Sequence, residues 1–125
     1  MLNKGLRDEE SIRIDNVLKT LRSLDFVPHP FSDELKRDVE NQLKEFGLNI
    51  PSLLNYENEE LIALLVRCHL DYTQLEQFAD FLMAFSKVEN YDFKDKALAI
   101  YQYIQKESKV FSFSINIKIA SAKNQ

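Results

Sequence analysis

The chain has 125 residues, is 45% hydrophobic and 29% charged, and carries one cysteine, two glycines and a net charge of −4 at pH 7. That is the make-up of one domain with a real core; it excludes a wholly disordered chain, which lacks such apolar content, and a disulfide-stapled scaffold, which needs cysteines in pairs. The longest purely apolar run, Leu61 to Val66, falls far short of the roughly 20 residues that cross a bilayer, and the acidic balance lacks the basic excess from which nucleic-acid binders draw affinity, so neither a membrane nor a nucleic acid is expected as a partner.

In chain order, Ile14, Val17, Leu18 and Leu21 recur at i, i+3, i+4 and i+7, which predicts a helix from about Ser11 to Leu24 with Asp8 or Ser11 at its start. Pro28 and Pro30 within Phe26–Phe31 break it. Ser32 then has the character of an N-cap, with Asp33 and Glu34 in the first turn where the helix dipole favours them. Leu35, Val39, Leu43 and Phe46 form the buried face, and Gly47 stands where a left-handed C-terminal cap is wanted. Leu48–Pro51 leads to a short helical turn near Ser52–Leu54. Asn55 or Asn58 is expected to cap the next helix, which reaches Leu70 and is apolar nearly all the way round. Such a helix should be the central one, so Leu64→Arg is expected to unfold the domain.

Thr73-Gln74-Leu75-Glu76 has the spacing of a capping box and opens a helix to about Ser86, with Phe78, Phe81, Leu82 and Phe85 as its stripe. Asp92 can cap a further helix, Phe93 to Glu107, that turns Phe93, Ala97, Ile100, Tyr101 and Ile104 inward. The last segment supports two readings. Phe111, Phe113, Ile115, Ile117 and Ile119 alternate as in a strand, which would have to pair with its twin in a dimer. Alternatively, Ser112 or Ser114 caps a helix with Ile115, Ile119 and Ala122 on one side. The helix is favoured because no second strand is found to satisfy the backbone. The expected fold is therefore a single all-α domain of five or six short helices packed as antiparallel hairpins.

The expected starts at Asn58 and Asp92 are 34 residues apart, the tetratricopeptide period. Ala97 and Tyr101 in Lys96–Tyr101 resemble the small residue and tyrosine of that repeat's first helix, although its Trp, Gly and Pro are missing. The stretch 49–113 also resembles a family of small bacterial helical proteins with no assigned activity, through Leu53-Leu54, Asn58-Glu59-Glu60-Leu61-Ile62, Leu75-Glu76 and Ala79-Asp80. The resemblance implies an all-helical fold and no particular chemistry.

Few residues are arranged for catalysis. His29 lies in the proline-rich join. Cys68 and His69 are adjacent on a helix, about 100° apart, and cannot chelate one ion together. Neither C-x-x-C nor H-E-x-x-H occurs, and two glycines cannot build a phosphate-cradling loop. No metal or cofactor is expected. Glu76 and Asp80, at i and i+4, are the one pair of carboxylates that with His69 could serve an enzyme or a small-molecule site, though Glu76 is expected to be occupied in capping.

Charge is spread unevenly: residues 48–90 hold seven acids and two bases, residues 91–125 three acids and six bases. The expectation is a binding module, a protein-interaction or adaptor domain. Its surface would use Glu57, Glu59 and Glu60 as an acidic rim, with Tyr103, Ala99 and His29 as further candidates. A rival is an acidic, immunity- or antitoxin-like inhibitor of a basic enzyme. Apolar surface in excess of one stripe per helix makes a homodimer a further expectation. Met1–Gly5 is polar and runs into Asp8-Glu9-Glu10 without an apolar leader, and the single Cys68 suits a reducing compartment, so a cytoplasmic location is expected.

Overall fold

The structure, a computed structural model, describes residues 2–24, 32–87, 92–108 and 112–123, with side chains from residue 8 onward. Seven α-helices and one short 3-10 turn make up these residues: α1 (Leu2–Ser23), α2 (Asp33–Leu43), the 3-10 turn (Lys44–Phe46), α3 (Ile50–Asn55), α4 (Asn58–Arg67), α5 (Tyr72–Phe85), α6 (Lys94–Ser108) and α7 (Phe113–Lys123). The expected all-α fold is found; the turn near Ser52 is the short helix α3, and 113–123 is helix. The expected join Phe26–Phe31, with His29, lies outside the described residues.

The centre of the molecule is α5. It packs most extensively on α6 and also against α1; α6 in turn receives α7 and α4, while α2 touches α1 and α3. Seven of the fourteen residues of α5 are buried, Gln74, Leu75, Phe78, Ala79, Phe81, Leu82 and Phe85. In α4 only Leu61 and Leu65 are. This corrects the expectation that α4 is central. Leu64 is half-buried and Val66 is exposed at 41%: the apolar run Leu61–Val66 wraps α4, but only one side of it meets the core. Five phenylalanines stitch that core together, from the 3-10 turn, from α5 and from the residue just before α6. Ring centroids lie 5.9 Å apart for Phe46–Phe78, 5.6 Å for Phe78–Phe81, 5.5 Å for Phe81–Phe85 and 5.1 Å for Phe85–Phe93, all within the range of favourable aromatic pairing.

The helix ends show which local signals prevail. Ser32 caps α2, its side chain accepting from the Leu35 N–H at 3.1 Å. Asn49 caps α3 by accepting from Ser52 N–H at 2.8 Å. Three expected caps are displaced. Asp8 and Ser11 lie inside α1, which begins at Leu2, nine residues before the expected start at Ser11. Glu57, not Asn55 or Asn58, is the N-cap of α4, and the Glu60 carboxylate accepts from its N–H at 3.1 Å. Asp71, not Thr73, caps α5: Asp71 accepts from Gln74 N–H at 2.7 Å and Gln74 Oε1 accepts from Asp71 N–H at 2.9 Å. Thr73-x-x-Glu76 and Asp71-x-x-Gln74 are equally good capping boxes on paper, and the second is the one the chain uses. Ser112 caps α7 through Ile115 N–H at 3.2 Å, and Asp92 accepts from Lys94 N–H at 3.1 Å just ahead of α6.

Candidate functional site

Freed from capping, Glu76 enters the main polar cluster among the described residues. Glu76 and Asp80 project one turn apart from α5 toward Lys118 of α7. The Lys118 ammonium donates to Asp80 Oδ2 at 3.0 Å and to Glu76 Oε2. On the other side, the buried Tyr101 of α6 donates its hydroxyl hydrogen to Asp80 Oδ1 at 2.6 Å. Ser114 Oγ reaches Glu76 Oε2 at 3.4 Å. Three helices thus meet on two carboxylates.

Burial, reinforced by the bond to Asp80, holds the Tyr101 hydroxyl well above the usual tyrosine range. Burial pulls the Lys118 ammonium down, but its hydrogen bonds to Glu76 and Asp80 outweigh that and hold it above the usual lysine value. Both therefore keep their protons at neutral pH, and both oxygens of Asp80 are engaged. A general base needs a free lone pair and a pKa near the working pH; here both Asp80 oxygens and Glu76 Oε2 are bonded to neighbouring helices. A hollow of about 320 Å³ opens beside it, lined by Asp80, Met83, Ala84, Lys87, Tyr101 and Lys118.

His69 stands elsewhere. With Glu10, Arg13, Phe46, Arg67 and Cys68 it lines a hollow of about 210 Å³ between α1, the 3-10 turn and the end of α4. Its Nε2 lies 3.9 Å from Glu10 Oε1. The structure brings Glu76 and Asp80 together but does not bring His69 to them. Cys68 is half-buried, its Sγ 3.8 Å from the Phe46 carbonyl oxygen, and burial raises its thiol above the usual value despite Arg67 nearby. A thiolate nucleophile needs the opposite shift.

His69 has a backbone role that the sequence reading missed. It is the described non-glycine residue with positive φ, at +72°. Leu70 N–H bonds to the Leu65 carbonyl at 3.3 Å and His69 N–H to the Val66 carbonyl at 3.0 Å. That is the paired bonding of a Schellman C-cap. The end of the 3-10 turn repeats it: Leu48 N–H to Leu43 O and Gly47 N–H to Lys44 O, both 3.0 Å, with Gly47 at φ +74°. The same turn is thus made once with glycine and once with histidine. An apolar residue one position on, Leu48 or Leu70, is the shared signal. Nothing in the sequence marks a histidine for the left-handed position.

The remaining candidates lie on the surface. Glu57, Glu59 and Glu60 are exposed at the start of α4, and among the described residues none of the three forms an ion pair. Glu59, Ala63 and Val66, at i, i+4 and i+7, are all exposed and make one outward stripe on α4. Leu54, just before it, is 42% exposed, and Tyr72, just after it, 43%. Tyr103 is half-buried; partial burial, with Tyr72 and Glu107 nearby, raises its hydroxyl pKa. Ala99 is half-buried on α6. Among the described residues no group of three His, Cys, Asp or Glu side chains is placed to hold a metal ion, and no helix is long and apolar enough to cross a membrane. Comparison of the chain with family models, curated proteins and solved structures finds no match.

Proposed function

We propose that the protein is a non-catalytic interaction module, adaptor-like in action, which docks a protein partner on the outward side of α4. One observation carries this reading. The titratable groups that converge between α5, α6 and α7 are bonded to one another, whereas Leu54, Val66 and Tyr72 are partly exposed on or next to α4 and Glu57, Glu59 and Glu60 form no ion pair among the described residues. Exposed apolar surface costs solubility; at an interface it supplies an apolar centre, with the neighbouring carboxylates as the charged rim.

A basic enzyme masked by this surface is the second reading, favoured by the lack of an ion pair at Glu57, Glu59 and Glu60 among the described residues. Either way the partner surface is basic, because three carboxylates steer and select it. A second copy of the chain is a further occupant, and sedimentation of the purified protein distinguishes it from a foreign partner.

The test uses the tagged full chain as bait in the cells that make it. Charge reversal at Glu57 and Glu60 would also break the α4 cap, so the variant is Glu57→Gln, Glu59→Lys and Glu60→Gln, which leaves an acceptor at position 60 for the Glu57 N–H. The wild type is expected to retain a partner that the variant loses, with unchanged helical content. Retention of the same proteins by both would refute the acidic surface, and identical background capture would refute the module.

A further inference from the structure

We propose that the hollow between α1, the 3-10 turn and the end of α4 is a binding site for a small organic carboxylate, whose anionic head is gripped by Arg13 and Arg67 and whose body rests on an apolar floor. One face of α1 supplies Glu10, Arg13, Ile14 and Val17, at i, i+3, i+4 and i+7. Arg67, Cys68 and His69 follow one another at the end of α4, and Glu45 and Phe46 come from the 3-10 turn. Ile14, Val17 and Phe46 are buried and make the floor; Arg13, Arg67 and His69 are exposed, so a ligand reaches them from solvent.

Among the described residues neither arginine forms an ion pair or a hydrogen bond, although the carboxylates of Glu10 and Glu45 line the same hollow. Yet both act on one atom: each guanidinium lowers the pKa of the Cys68 thiol, against burial and Glu10, which raise it. Two cationic forks thus converge on one small space, and a guanidinium fork matches a carboxylate in two parallel hydrogen bonds. His69 is an independent sign. The chain makes the same turn with Gly47, yet at position 69 it accepts left-handed strain for a side chain that is 75% exposed and, at 3.9 Å from Glu10, too far for a hydrogen bond. Strain that packing does not explain gathers at functional positions, and here it holds an imidazole at the hollow beside both arginines. The lining also sets the ligand. Binding pockets usually measure about 300–1,000 Å³, so a hollow of about 210 Å³ takes a small molecule. Glu10 and Glu45 repel a doubly charged phosphate more than a singly charged carboxylate, and the apolar floor favours a hydrocarbon body over a bare ion.

Chemical-shift titration of the full chain by heteronuclear NMR at fixed ionic strength tests this, with sodium benzoate and sodium hexanoate as probes and sodium phosphate as the contrast. At least one of the two carboxylates is expected to give saturable shifts centred on the amides of Arg13, Phe46, Cys68 and His69, with phosphate at least about tenfold weaker. The double variant Arg13→Gln, Arg67→Gln changes two exposed side chains and removes both charges; it is expected to lower carboxylate affinity by at least about tenfold. His69→Gly is expected to weaken binding with no loss of thermal stability, so that the weakening does not come from unfolding. The absence of saturable shifts with both carboxylates in the wild type would overturn the proposal. So would phosphate binding as tightly as the carboxylates, shifts spread over the whole surface, or affinity undiminished in either variant.

Discussion

Two turns of one design, built on different residues, allow a paired measurement. Gly47 and His69 occupy the same position of the same C-cap with φ +74° and +72°. For an L-residue with a side chain, the left-handed region costs roughly 1–2 kcal/mol because Cβ crowds the carbonyl; glycine escapes this but loses more freedom on folding. The net preference for glycine is about 1 kcal/mol. A Cβ built on Gly47 meets no atom within 4 Å, so Gly47→Ala isolates the backbone effect from any clash and should destabilise by about 1 kcal/mol. His69→Gly should do the reverse and stabilise by about 1 kcal/mol, because the imidazole is largely exposed and its contact with Glu10 at 3.9 Å is too long for a hydrogen bond. Urea unfolding followed by far-ultraviolet circular dichroism gives both values; in a chain of this size 1 kcal/mol moves Tm by about 4 °C. If His69→Gly is neutral or destabilising while Gly47→Ala behaves as expected, the imidazole contributes a contact that outweighs its backbone strain, and the cap reasoning fails at that position.

The other predictions concern the core and the polar junctions. Gln74 is 3% exposed and ties α5 to α1, its amide donating to Asp15 Oδ1 at 2.9 Å and Ser11 Oγ at 3.1 Å; Gln74→Ala should cost about 2 kcal/mol in urea unfolding, and a change below about 0.5 kcal/mol would show that water replaces these bonds freely. Leu65 is fully buried whereas Leu64 is half-buried, so Leu65→Arg should unfold the domain while Leu64→Arg leaves a cooperative, weakened fold; equal effects would contradict the placement of α4. At alkaline pH the unfolded chain releases the Tyr101 proton near the ordinary value of 10.0 while the folded chain keeps it. The contribution of this group should therefore be constant below about pH 10 and then fall by about 1.4 kcal/mol per pH unit. Lys118, whose value is also raised, adds a loss of the same sign above 10.5. Tyr101→Phe should shallow the decline, and an unchanged slope would remove Tyr101 as its source.

What could be read from the sequence was whatever is local. The stripes of α1, α2, α5 and α6, the Ser32 cap and the left-handed Gly47 each depend on residues within a turn or two, and the structure reproduces them. The alternation in 113–119 resolved as helix because Phe113 and Ile117 are one turn apart on the outward side, while Ile115, Ile119 and Ala122 are so on the inner side; a period of two hides a period of four in so short a segment. The first nine residues of α1 carry no apolar stripe, so periodicity could not find them.

The candidate site was less legible, since it depends on pairs distant in sequence. Glu76 and Asp80 drew notice as two carboxylates on one face, but their partner Lys118 is some forty positions away. The available signal was that Lys118 is the sole charge between Val110 and Ala122, set among isoleucines where a lone cation needs an acid. Which of two apolar helices is central was not a sequence-level question at all. The composition of α4 is the more uniformly apolar, yet α5 is the one surrounded, because the partners of α5 lie on both sides and those of α4 on one.

We have proposed that the outward side of α4 docks another protein. The most direct test is to place a photo-cross-linking amino acid at position 66, in the exposed stripe of α4, in the full chain within the cells that make it. A control carries the same group at position 87, beside the Lys118 junction. Irradiation is expected to yield one discrete adduct from position 66, absent from position 87 and lost when Glu57, Glu59 and Glu60 are neutralised. No adduct from position 66, or the same adducts from both positions, would contradict the proposal.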